Sequence, residues 1–265
     1  MSSKAAQKNF KRRQSRRSST DDLPPADEPS GDAEEAGAGS TEQASVSQPD
    51  QFGKTFFANL TEAWANVETV PDSSPPDMEL ASFVQACKTL STVYDKLGSL
   101  LSTAKKDMND NLAVIVKGCA DKPQIKTIQD AVRFDIDNKL CFRDNKNRKG
   151  VSFGILWLVR ALRFIVIFLD NLTSSEFAGK EMGKCSKDAY SKTIQPYHGW
   201  MLSSVFGTMM GQVPNRVKFL KNTCGGESDE VTYNEMKALV ATAGPLVDAL
   251  HQFYLQQNLN DAWKA

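Results

Sequence analysis

The chain has 265 residues, 40% of them hydrophobic, and its 32 basic side chains balance 32 acidic ones. It contains no Gly-rich phosphate loop and no G-x-S-x-G elbow, which removes the commonest nucleotide-binding and serine-hydrolase chemistries. Two histidines without a cysteine near either leave no zinc site, and five cysteines without C-x-x-C spacing fit free thiols in a reducing compartment.

Charge is unevenly placed. The first 20 residues carry Lys4, Lys8, Lys11, Arg12, Arg13, Arg16 and Arg17 and no acid, whereas Asp21 to Asp50 holds nine acids and no base. Met1, Phe10, Leu23 and Val46 are the only sizeable apolar residues up to position 50, too few to offset the entropy of ordering the segment. Residues 1–50 are therefore expected to be a disordered charged tail, and 51–265 one soluble domain. The basic arm has the charge to dock on anionic lipid or nucleic acid, or to fold back on the acidic block.

Helical spacing begins at Phe52 to Val67, with Phe56, Phe57, Leu60 and Trp64 in register, and Pro71, Pro75 and Pro76 end it. Met78 to Leu90 follows, with Leu80, Val84, Cys87 and Leu90 on one side. Thr92 to Gly118 continues as helix with a break expected near Gly98. Pro123 to Asp137 predicts a short helix, and Arg143 to Gly150 an exposed polar loop.

Val151 to Leu172 is long and apolar enough to resemble a membrane span. Arg160 and Arg163 lie near its middle, each costing roughly 2.5–3.5 kcal/mol at a bilayer centre, so a central helix of a soluble bundle is expected. Lys184 to Gly211 is helical, with Pro196 either opening a second helix or kinking the first. Pro214 to Asn222, a turn at Gly225-Gly226, and a last helix over Thr232 to Gln257 complete an all-α chain without β alternation.

A few residues stand out for chemistry. Asp107 and Asn111, four apart on a helix, point the same way and offer acceptors and donors suited to sugar hydroxyls and an amide N–H. Trp157 provides a flat ring and Arg160 lies one turn on. Taken singly, each has a plain structural use: a solvated face for the polar pair, core packing for Trp157, and an ion pair that fixes helix packing for Arg160. His198 follows Pro196-Tyr197 with no nucleophile or orienting group beside it in sequence, so a hydrogen-bonding role is favoured over general-base catalysis. Trp200, two residues on, suits a bilayer interface.

Asp107-x-x-x-Asn111, Trp157-Leu-x-Arg160-x-Leu-Arg-Phe and Tyr197-His198-Gly199-Trp200, in that order and at those separations, resemble the glycolipid transfer protein family from about Met78 onward. Thr92-Val-Tyr-Asp-Lys-Leu-Gly98 is similar to the family's approach to its first site helix. The resemblance implies a two-layer sandwich of α-helices enclosing an apolar lipid tunnel, with the head group held at the surface. It also implies a cytoplasmic, monomeric carrier or sensor that is not an enzyme and uses no cofactor. Such a carrier moves glycosphingolipid during transient contact with cytosolic membrane faces, without a nucleic-acid partner. Carried onto this chain, Asp107, Asn111, Trp157, Arg160 and His198 bind ligand and Trp200 touches the membrane. Phe83, Leu90, Leu97, Leu101, Phe164, Ile165, Phe168, Val205, Phe206, Phe253 and Leu255 are expected to line the tunnel or fill a core.

The chain departs from the family at Val114, where glycolipid-binding members usually carry Lys; Lys117, a turn further, replaces it only in part. Relatives that bind ceramide-1-phosphate usually have Lys at the Asn111 position and basic residues at those of Leu156 and Trp157, so Asn111 and Trp157 favour a neutral sugar. The competing readings are a sphingolipid-phosphate carrier, a helical interaction module that does not transfer lipid, and, last, a lipid hydrolase.

Overall fold

The computed structural model describes residues 54–141 and 150–260. The charged tail and the polar loop expected at Arg143 to Gly150, all but its final glycine, lie outside the described residues. Among the described residues ten α-helices run in chain order: α1 Phe56–Ala65, α2 Leu80–Leu90, α3 Val93–Lys96, α4 Ser102–Cys119, α5 Ile128–Asp137, α6 Val151–Thr173, α7 Met182–Thr193, α8 Trp200–Gly211, α9 Arg216–Thr223 and α10 Asp229–Gln256. Among the described residues there is no strand, only isolated bridges joining Thr69 to Met78 and Glu79 to Thr127.

Local chemistry sets most helix starts. The carboxylate of Glu79 accepts the Ala81 and Ser82 N–H groups at 2.9 and 2.6 Å, and Asn215 and Ser228 cap α9 and α10 in the same way. The helix expected from Pro123 begins instead at Ile128. Residues 126–128 run alongside residues 78–80, with Leu80 N–H donating to Lys126 O and Ile128 N–H to Met78 O. A capping box between Thr127 and Asp130 then opens α5. The break near Gly98 is present, with the glycine at φ 92°, a left-handed conformation that disfavours a side chain. Pro196 does not kink one long helix. It sits in a 3-10 turn, Gln195–Tyr197, between α7 and α8.

Helix α6 is the hub, packing against α4, α5, α7 and α10, while α1 packs on α10 and α2. It is long and apolar enough to cross a membrane, but most of it is buried inside the fold. Two glycines allow α4 close to it. A Cβ on Gly118 would meet Val151 Cγ2 at 2.3 Å, and one on Gly154 would touch Asn111 O at 3.4 Å. Tyr94, Phe164 and Phe168 stack in sequence, with centroids 6.4 and 6.1 Å apart and planes within 8°. Each buried phenylalanine contributes roughly 1.5–3 kcal/mol.

Phe83, Leu90, Leu97, Leu101, Ile165 and Phe253 join Phe164 and Phe168 in this core. Val205 and Leu255, expected inside, are 52% and 43% exposed. They lie on the outer faces of α8 and α10, a distinction that apolar composition alone does not make.

Candidate functional site

The packing of α4 on α6 brings the first two segments together. Within α4, Asn111 Nδ2 donates to the Asp107 backbone carbonyl at 2.9 Å and to its carboxylate at 3.3 Å. Because the Asn111 carbonyl lies against Gly154, this pair sits about one turn of α6 from Trp157. Asp107 keeps a solvent-exposed edge, yet its carboxyl is sunk far enough that burial raises its pKa; Asp110 adds to the rise and Lys106 opposes it. Among the described residues, Asn111 provides its only side-chain hydrogen bond.

The turn between α7 and α8 delivers the third segment. The His198 ring stacks on Trp157, with centroids 5.9 Å apart and planes 30° apart. Phe206 stands 4.9 Å and Tyr190 5.7 Å from the same imidazole, and Tyr190 Oη is 2.8 Å from His198 Nδ1. His198 is thus boxed by three aromatic rings, and among the described residues Nδ1 is its hydrogen-bonded ring nitrogen. Burial, reinforced by the Arg160 charge, lowers the His198 pKa, so the ring is neutral at pH 7. Burial raises the phenol of Tyr190 while the Ser203 hydroxyl lowers it, with burial dominant.

Arg160 is 3% exposed. Its guanidinium lies 3.5 Å from the Tyr197 ring centroid and 4.8 Å from that of Trp157, so it backs the site wall. Tyr197 is tied in turn to Asn260, whose Nδ2 is 3.1 Å from the phenol oxygen. Arg163 lies apart from this group, facing His251 at 3.2 Å and Asp248 at 3.6 Å, an ion-pair role in packing. Trp200 stands outside the box and is 83% exposed, beside exposed Met201 and Val205 on the outer face of α8.

The structure therefore sets Asp107 and Asn111 on α4 beside the part of α6 that carries Trp157 and Arg160, stacks His198 on Trp157, and leaves Trp200 on the surface. Sequence reasoning missed Tyr190, and it expected Phe206 along the tunnel or core rather than against His198. Both precede or follow the helix break by several residues, and only the fold-back of α8 on α7 brings them to His198. Val114 packs against Gly154 and Lys117 is exposed. Leu156 is buried, so a basic side chain there would enter the core rather than the site.

A family model described as Glycolipid transfer protein (GLTP) matches residues 78–225. Glycolipid transfer protein 1 of Arabidopsis thaliana is 28% identical over 208 residues, 78% of this chain and 96% of the plant protein. Pleckstrin homology domain-containing family A member 8 of Homo sapiens is 26% identical over 177 residues, 66% of this chain but only 32% of the human protein. The fungal glycolipid transfer protein HET-C2 superposes with a TM-score of 0.64 at 26% identity, covering 76% of this chain and 97% of HET-C2. Human ceramide-1-phosphate transfer protein, solved with its lipid, gives a TM-score of 0.68 at 18% identity, with 78% and 98% of the two chains covered, a likeness of fold alone. This chain belongs to the glycolipid transfer protein family. Its architecture is the family's all-α, two-layer helical sandwich.

Proposed function

We propose that this protein binds a glycosphingolipid with a small neutral head group and carries it between cytosolic membrane faces without chemical change. The observation that carries the reading is the convergence of Asp107, Asn111, Trp157 and His198 from three segments distant in sequence. An Asp carboxylate accepts sugar hydroxyls, Asn supplies a donor and an acceptor, and an indole packs against the C–H face of a pyranose. A neutral imidazole donates to the lipid amide carbonyl. The lipid chains would lie between the helical layers, among the side chains around Phe164 and Phe168.

Transport rather than catalysis is favoured because His198 is surrounded by aromatic rings. Among the described residues, the Tyr190 phenol is the group hydrogen-bonded to its ring, and no carboxylate, serine or cysteine is. Asn111 and Trp157 support a sugar over a phosphate, and Val114, lacking the family's lysine, favours a simple head. The outer face of α8, with Trp200, Met201 and Val205, is the surface that would meet the bilayer, and the carrier acts as a monomer. Vesicle-to-vesicle transfer of fluorescent monohexosylceramide, run beside ceramide-1-phosphate, tests the reading. Faster transfer of the hexosylceramide is expected. Preference for the phosphate overturns the head-group assignment, and failure to move either overturns the carrier assignment.

A further inference from the structure

We propose that Tyr190 sets the tautomer of His198: its hydroxyl donates to Nδ1 and so leaves the Nε2–H free to donate to the amide carbonyl of the bound lipid. The inference rests on the carrier reading above for its ligand, but the tautomer itself belongs to the protein alone.

Tyr190 Oη and His198 Nδ1 are 2.8 Å apart, and Tyr190 is almost wholly buried, so its hydroxyl needs a partner inside the fold. Two polarities satisfy that distance. A phenol is the more acidic donor, and the unprotonated imidazole nitrogen is a better acceptor than a phenol oxygen whose lone pair is shared with its ring. O–H to N is therefore the favoured direction. The opposite polarity would place the proton on Nδ1 and leave Nε2 a bare acceptor, which a carbonyl oxygen cannot use.

The surroundings hold this pair in one geometry. Tyr190 stacks on Phe206 at 6.2 Å with planes 16° apart, and Phe206 in turn closes on His198. Ser186 Oγ donates to Met210 O at 2.6 Å, and Gly183 approaches the Gly211 backbone, which locks α7 to α8. Ser203 Oγ donates to the His198 carbonyl at 3.3 Å and so restrains the backbone that carries the ring. Tyr190 acts through His198 and is a positioning residue.

The test uses full-length protein labelled with nitrogen-15 at histidine. The chain has two histidines, so the His251→Gln variant assigns both sets of ring signals. In the wild type, His198 is expected as the Nε2–H tautomer alone. In Tyr190→Phe, which keeps the ring and its stacking, a mixture of tautomers is expected, and monohexosylceramide transfer should fall about tenfold, roughly one hydrogen bond's worth. Finding the Nδ1–H tautomer in the wild type overturns the proposal, as does Tyr190→Phe with an unchanged tautomer or undiminished transfer. If wild-type protein shows the Nε2–H form but moves no sphingolipid, the carrier reading fails and the tautomer assignment stands.

Discussion

Two aspartates on the same domain show how differently a polar group is used. Asp77 is 5% exposed and fully engaged. Its carboxylate accepts the Thr127 hydroxyl at 2.6 Å and the N–H groups of Gln129 and Met78 at 3.0 and 2.9 Å, with Arg133 at 3.9 Å. These bonds tie the connection before α2 to the start of α5. Asp107 keeps one weak side-chain hydrogen bond, to Asn111 at 3.3 Å, and an open edge. Both carboxylates sit beside apolar helices. Saturation by the protein suits a structural role, while unspent capacity at Asp107 is what the proposed head-group contact requires.

The sharpest way to break this contrast is at Asp107. Asp107→Val should lower hexosylceramide transfer about a hundredfold or more, since each lost charged hydrogen bond is worth about 1.5–3 kcal/mol. Far-UV circular dichroism and the melting temperature should hardly change. Transfer near the wild-type rate would place the head group elsewhere.

Asp77→Ala should give the reverse pattern. Thr127 Oγ1 and the Gln129 N–H would each lose a buried acceptor, at about 1–3 kcal/mol apiece. Denaturant unfolding should register that loss of stability, while transfer per folded molecule stays close to normal. A drop in transfer with unchanged stability would contradict the division.

A smaller effect is expected on the surface of α8. Trp200→Ala should slow vesicle-to-vesicle transfer severalfold, because an exposed indole favours the bilayer interface. Binding of a short-chain hexosylceramide in solution, followed by calorimetry, should be untouched. Equal losses in both measurements would mean that Trp200 belongs to the ligand site.

Acid should weaken the fold by a modest amount. Burial, then the Arg163 charge, with Arg160 adding and Asp248 opposing, hold His251 down at about 4. An unfolded histidine takes its proton near 6.5. Between those values the unfolded chain binds more protons than the folded one, so stability falls as pH falls through that window. His251→Gln should flatten part of the decline in a series of melts from pH 7 to pH 4.

The least change is expected from Val114→Lys. A cation added one turn from Asn111 should shift preference a few-fold toward larger head groups, measured as the ratio of dihexosylceramide to monohexosylceramide transfer. An unchanged ratio would show that position 114 does not reach the sugar.

The sequence by itself determined the all-helical class, because apolar residues at i, i+3 and i+4 leave strands no alternating face. It placed the central helix, since Arg160 and Arg163 make a membrane span costly and a buried hub reasonable. It also supplied Asp107, Asn111, Trp157 and His198 as candidates, through residue types and order. Tertiary structure decided the rest. Where α5 starts depended on pairing with residues 78–80, a contact from far along the chain. Whether Val205 and Leu255 face inward depended on which side of each helix found a partner. Tyr190 and Phe206 entered the site only when α8 folded back on α7, and Leu156 was shown to face the core although it adjoins Trp157. Periodicity records that a helix has an apolar face, but what that face meets is set by packing among segments that the linear pattern does not relate.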